Sequence, residues 1–222
     1  MIKVIILDFD GVIVESLNIK TEAFRELFSG YPRYLERIMS YHFENISVSR
    51  YVKFEHIYNR ILGESYDKEK AEETGKRFSV LVRQRIIECP WVGGAEEFLK
   101  HFSLILPLYI TSATPQQELE TILHARGLLE YFKGVYGTPP WEKYDAMQKI
   151  MLHEKVTPQE IVYIGDSLED FKVAQRAGVH FVGRLNQESF EDLAVPVYKD
   201  MRGVRGHVQK TVSEGRKEVG LS

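Results

Sequence analysis

The sequence predicts an α/β protein: a parallel sheet core interrupted by an inserted block of helices. Three observations carry this reading. Short apolar runs alternate with helical patterns along most of the chain, as βαβ units require. The interval between the first two apolar runs is far longer than one crossover helix needs, and it shows helical periodicity with no clear strand. Two carboxylates, Asp8 and Asp10, stand where the first run ends. In an open parallel sheet that edge is where ligands bind.

The elements follow in order. Lys3–Leu7 is the first strand, a continuous apolar run broken by acids. The stretch from Glu15 to Pro90 carries Ala23, Phe24, Leu27 and Phe28, then Phe54, Ile57, Tyr58, Ile61 and Leu62, then Phe78, Leu81 and Val82. That spacing predicts a helical insert sitting over the sheet edge. Pro90 with Gly93 and Gly94 marks the return to the core. Leu104–Ile110, Gly134–Tyr136, Ile161–Gly165, His180–Gly183 and Ala194–Tyr198 are the later strands. Between them lie helices around 118–124, closed by Gly127, over 144–153, with Pro158 opening the next turn, and over 170–177, stopped by Gly178. Lys199 to Ser222 holds four glycines and many charges with little to bury. It reads as a flexible or weakly docked tail that begins as a helix and frays. The expected domains are residues 1–15 and 91–200 for the core, 16–90 for the cap and 201–222 for the tail.

Composition narrows the function. The 222 residues are 44% hydrophobic and 27% charged, with a formal net charge of −3. That balance offers no bulk attraction to nucleic acid or to an acidic membrane surface. The single Cys89 excludes an intrachain disulfide and fits a reducing, cytoplasmic setting. No apolar run approaches the roughly 20 residues that span a bilayer. Oligomeric state is not legible from these features.

The chemistry-bearing residues converge if the strands are parallel. Asp8 and Asp10 follow the first strand, Thr111-Ser112-Ala113-Thr114 the second, Lys143 the third, and Asp166 with Asp170 the fourth. Asp8, Asp10 and Asp166 are hard oxygen donors suited to Mg²⁺. Ser112 and the backbone N–H groups near it, Ala113 among them, suit phosphoryl oxygens. Lys143 adds positive charge where a phosphoryl transition state builds negative charge. One Asp can serve as nucleophile, and a second two residues on can move the proton.

These residues resemble the signature motifs of the haloacid dehalogenase (HAD) superfamily. Asp8-Phe9-Asp10-Gly11-Val12 is similar to the first motif and Ile110-Thr111-Ser112 to the second. Lys143 falls at the third, and Gly165-Asp166-Ser167 with Asp170 is similar to the fourth. The order matches and the similarity spans nearly the whole chain. The insert resembles the helical C1 cap of the phosphoglycolate phosphatase and β-phosphoglucomutase branch. The resemblance implies a Rossmann-like core, Asp8 as nucleophile and Asp10 as acid/base. It implies Mg²⁺ held by the side chains of Asp8 and Asp166 and the backbone carbonyl of Asp10, with Asp170 supporting the metal shell or orienting Lys143. The implied activity is a phosphatase acting on a small phosphorylated metabolite, a sugar phosphate among the candidates.

Asp10 separates branches. Dehalogenases of the superfamily lack the second acid, because a halide leaves without a proton, so Asp10 points to phosphate esters. Tyr144 follows Lys143 where many members have Pro. The other lysines nearby fit less well, since Lys149 lies in mid-helix and Lys133 precedes its strand. A phosphomutase with the same core is the second reading. A non-catalytic phosphate-binding protein is the third, opposed by the intact acids. A phosphonate hydrolase would need a cap amine, for which Lys53 is the candidate. In the insert, Arg50 and Lys53 are three apart and share a helix face. They are candidates to meet a substrate's anionic group, the alternative being a solvated basic face.

Overall fold

The computed structural model describes residues 1–186 and 189–218, with side chains through 214. The chain divides into two compact units, Met1–Glu15 with Pro90–Ser222, and Ser16–Cys89.

In the first unit β1 (Val4–Leu7), β2 (Leu108–Ser112), β3 (Gly134–Gly137), β4 (Ile161–Gly165), β5 (His180–Arg184) and β6 (Val197–Tyr198) form one parallel sheet. The strand order is β3-β2-β1-β4-β5-β6. All four residues of β1 are buried, which is why it reads as an unbroken apolar run. β1 lies between β2 and β4, with Leu7 registered against Ile110 and Ile164. The order reverses there, so the crevice beyond Leu7 is the sheet's switch point.

The helices are α1 (Leu17–Leu27), α2 (Leu35–Glu44), α3 (Arg50–His56), α4 (Lys68–Glu88), α5 (Ala95–Phe102), α6 (Gln116–Ala125), α7 (Lys143–Glu154), α8 (Leu168–Ala177) and α9 (Met201–Glu218). On one face of the sheet, Val4, Ile6, Tyr109 and Tyr163 pack with Met147 and Ile150 of α7 and Ala174 and Ala177 of α8. Gly178 ends α8 in the left-handed region (φ 73°), where glycine carries no Cβ penalty.

Three expectations need correction. β6 covers only Val197–Tyr198, not Ala194–Tyr198, since Val195 N–H turns back to Leu193 O at 2.9 Å. β2 starts at Leu108, not Leu104: Leu104 is 88% exposed, and Leu106 N–H turns back to Phe102 O at 2.9 Å before Pro107 opens the strand. The stretch after Lys199 also has more to bury than its composition suggests. Met201, Val204, Val208 and Val212 line one face of α9 and are buried. Met201 N–H donates to Gly93 O at 2.9 Å, and Gln209 Nε2 meets His101 Nε2 of α5 at 3.0 Å. The last four residues of the expected tail lie outside the described residues. No described helix is long and apolar enough to cross a membrane.

The second unit is helical throughout its regular structure, with α3 running into a π-helical turn, Ile57–Leu62, closed by Gly63 at φ 72°. Its centre is a cluster of rings: Phe24 lies 4.9 Å from Phe78 and 5.4 Å from Phe54, and Phe28 lies 6.2 Å from Phe54. These are the positions that carried the helical periodicity. Arg50 and Lys53 are not a solvated face; they are 6% and 3% exposed. The Arg50 guanidinium lies 4.6 Å from the centre of the Phe78 ring and donates to Ser79 Oγ at 3.2 Å. Lys53 Nζ lies 4.8 Å from the centre of the Phe24 ring and donates to Ile46 O at 3.1 Å.

Candidate active site

Parallel register brings four strand ends to one edge. Leu7, Ser112, Gly137 and Gly165 close β1 to β4, and the chemistry-bearing residues follow them. Asp8 N–H donates to Ile164 O at 2.9 Å, which seats the first acid beside β4. Gly11 turns the chain away at φ 75°, and a Cβ there would collide with the Asp166 carboxylate. Glycine is therefore required for Asp166 to approach the first motif.

Asp8, Asp10, Ser112, Asp166 and Asp170 are all buried. Asp8, Asp166 and Asp170 each offer an oxygen within 4.8 Å of the others. Lys143, at the start of α7, places Nζ 2.6 Å from Asp170 Oδ1 and 3.2 Å from Asp8 Oδ1. Asp170 has both carboxylate oxygens satisfied. Oδ1 accepts from Lys143 and from the Tyr163 hydroxyl; Oδ2 accepts from Ser167 Oγ at 2.6 Å and from Asp166 N–H at 3.3 Å. Such saturation suits a residue that holds Lys143 in place. By contrast Asp8 Oδ1, close to Lys143, accepts no aligned hydrogen bond.

Asp10 is held differently, its Oδ2 accepting from Thr114 Oγ1 at 2.9 Å. Ser112 Oγ accepts from Thr114 N–H at 3.1 Å, so the turn after β2 orders a hydroxyl and a backbone amide together at the edge, with Ala113 between them. Lys133 is not part of this edge: its N–H pairs with Leu108 O at the opposite end of β2, and its ammonium meets Glu154 at 2.8 Å. Lys149 lies over the Trp141 ring at 4.1 Å. Arg50 and Lys53 belong to the second unit.

The charges press on one another. Burial pushes the Asp8 carboxyl up to about 7, with Lys143 opposing and Asp170 and Asp10 adding. Burial, then Asp8 and Asp170, push Asp166 well above the carboxylate range. For Asp170, burial is outweighed by Lys143 and by its hydrogen bonds, so it stays low. Lys143 is held well above its ordinary value, because Asp170 and Asp8 outweigh its burial. Three buried carboxylates facing one ammonium, with Asp8 Oδ1 accepting no hydrogen bond, are the donor set a hard divalent cation fits.

Several contributors were not singled out from the sequence. Tyr163 reads as a core strand residue, and its hydroxyl on Asp170 depends on β4 lying against α8. Thr114 was placed in the turn after the second strand, but its hydrogen bond to Asp10 was not foreseen. Asn186, whose Nδ2 donates to Asp166 Oδ2 at 3.1 Å, gave no signal at all.

A family model described as haloacid dehalogenase-like hydrolase matches residues 5–184. A phosphoglycolate phosphatase from Photobacterium profundum is 35% identical over 95 residues, 40% of this chain; the chain spans only 42% of that relative's length. Among solved structures, a β-phosphoglucomutase from Clostridium difficile superposes with a TM-score of 0.75 at 18% identity, covering 96% of this chain and 98% of that one. The CbbY protein from Rhodobacter sphaeroides, in complex with phosphate, superposes with a TM-score of 0.73 at 16% identity, covering 90% and 95%. At these identities the solved structures establish the fold.

Proposed function

Because this chain belongs to the haloacid dehalogenase-like hydrolases, we propose that it hydrolyses the phosphate ester of a small metabolite through a Mg²⁺-dependent aspartyl-phosphate. The observation that carries this reading is the division of labour among the acids. Asp8 and Asp166 lie with Asp170 in one cluster of carboxyl groups, while Asp10 accepts a hydrogen bond from Thr114.

Asp8 and Asp166, with the backbone carbonyl of Asp10, would hold the cation, which when bound shields the anionic phosphoryl group and the carboxylates from one another. Lys143 keeps positive charge beside Asp8, favouring the ionised nucleophile. A carboxylate oxygen of Asp8 attacks phosphorus as the bond to the ester oxygen breaks. Asp10 gives its proton to that oxygen, which leaves as the alcohol. Asp10 then takes a proton from water, whose oxygen attacks phosphorus and breaks the bond to Asp8. Inorganic phosphate leaves and both carboxyls return to their starting states. Ser112 and the amides near it bind phosphoryl oxygens throughout.

Phosphoglycolate and sugar phosphates are the first substrates to try, the former because of the partial identity to a phosphoglycolate phosphatase. Phosphate release from a panel of esters, run with Mg²⁺, with EDTA and with Asp8→Asn, is the test. Release that needs both Mg²⁺ and Asp8 supports the reading. Full release by the variant rejects it.

A further inference from the structure

We infer that Asn186, on the arm leaving β5, is a positioning residue that fixes the Asp166 carboxylate as a metal ligand. Gly183 of β5 is registered against Gly165 of β4, so the chain three residues beyond Gly183 returns beside Asp166. There Asn186 Nδ2 donates to Asp166 Oδ2 at 3.1 Å. The same oxygen lies against Gly11, where a Cβ would collide with it and crowd the Asn186 amide. The carboxylate is thus held between a backbone that cannot carry a side chain and an amide whose Nδ2 donates to it. Its plane is set before any cation arrives. Partners of this kind orient a ligand and tune its basicity.

Anchoring the arm does not account for the contact. The arm is already tied without the Asn186 side chain: Leu185 N–H donates to Tyr198 O at 2.8 Å, and Arg184 Nη2 donates to Glu15 Oε1 at 2.6 Å. What remains for the amide is the carboxylate it touches. This inference rests on the metal-dependent reading above.

Calorimetric titration of the full chain with MgCl₂ tests it, comparing wild type, Asn186→Leu and Leu185→Ala. Asn186→Leu keeps the branching and heavy-atom count and removes the donor; it should weaken Mg²⁺ binding about 10–100-fold. Leu185 is exposed and shares the arm, so Leu185→Ala should bind as wild type does. Should Asn186→Leu fold poorly, Asn186→Ala carries the same comparison. Wild-type affinity in the Asn186 variants overturns the inference alone, and so does an equal loss in Leu185→Ala. A wild-type protein that takes up no Mg²⁺ overturns the metal-dependent reading and the inference together.

Discussion

At the carboxyl edge of the sheet, buried charge meets buried charge. Lys143 bridges Asp170 and Asp8, and Tyr163 and Ser167 complete the shell around Asp170. In the helical insert, buried cations also lie over aromatic rings. Arg50 lies on Phe78 and Lys53 on Phe24, with Ser79 Oγ and Ile46 O as acceptors. Burial pulls Lys53 down to about 7, and Lys20 and Arg50 add to it, whereas Lys143 is pushed the other way by its acids. Two buried lysines therefore have opposite tendencies, and the sign is set by what faces them. The sheet edge keeps its ammonium charged and gathers carboxylates that a cation would relieve. The insert pulls its buried lysine toward the neutral form.

The largest effect expected from this contrast is on turnover. Asp8→Asn removes the oxygen that attacks and should lower phosphate release at least about 10⁴-fold; residual turnover near wild type would mean another residue attacks. Lys143→Met leaves the buried carboxylates facing one another. It should cost about 3–5 kcal/mol of stability without Mg²⁺, and Mg²⁺ should raise the melting temperature more in the variant than in wild type. An unchanged melting temperature in EDTA would show that the acids are protonated rather than paired.

The insert should respond with the opposite sign. Lys53→Met replaces a buried ammonium with an apolar chain of similar length and should stabilise the protein by about 1–4 kcal/mol at neutral pH. The pH dependence follows from linkage. Between about 7, where Lys53 titrates when folded, and its ordinary 10.5, the unfolded chain binds the extra proton. Wild-type stability should then rise with pH across that window, and Lys53→Met should flatten the rise. Denaturant unfolding at a series of pH values reads both, and a slope that survives in the variant would locate the titration elsewhere. A smaller effect on turnover than that of Asp8→Asn is expected at Thr114→Val, which removes a hydroxyl partner of Asp10. Losing a hydrogen bond to a carboxylate, worth about 1.5–3 kcal/mol, should lower kcat about 10–100-fold with KM nearly unchanged.

The same contrast shows what the residues disclosed. Asp8, Asp10, Asp166 and Lys143 could be located because each follows a recognisable apolar run, and parallel register then brings the strand ends together. The insert's rings were legible from their helical spacing. Its buried cations were not, because Arg50 and Lys53 at a three-residue spacing look like a surface stripe until rings from α1 and α4 are laid beneath them. The C-terminal helix was obscured for a related reason: valines four apart are diluted by glycines and charges, and they become a face only against β5, β6 and α5. Leu104 and Ile105 misled in the other direction, being apolar and exposed. Tyr163 and Asn186 meet Asp170 and Asp166 only once β4, β5 and α8 pack together, and they carry no local mark.

The central claim is that Asp8 becomes phosphorylated. Rapid-quench mass spectrometry of the enzyme mixed with phosphoglycolate, sugar phosphates or p-nitrophenyl phosphate in Mg²⁺ measures it directly. The account predicts one added phosphoryl group, acid-stable and base-labile, on the peptide carrying Asp8, and none in Asp8→Asn. Phosphate release without that species at any quench time, or the phosphoryl group on another residue, would contradict it.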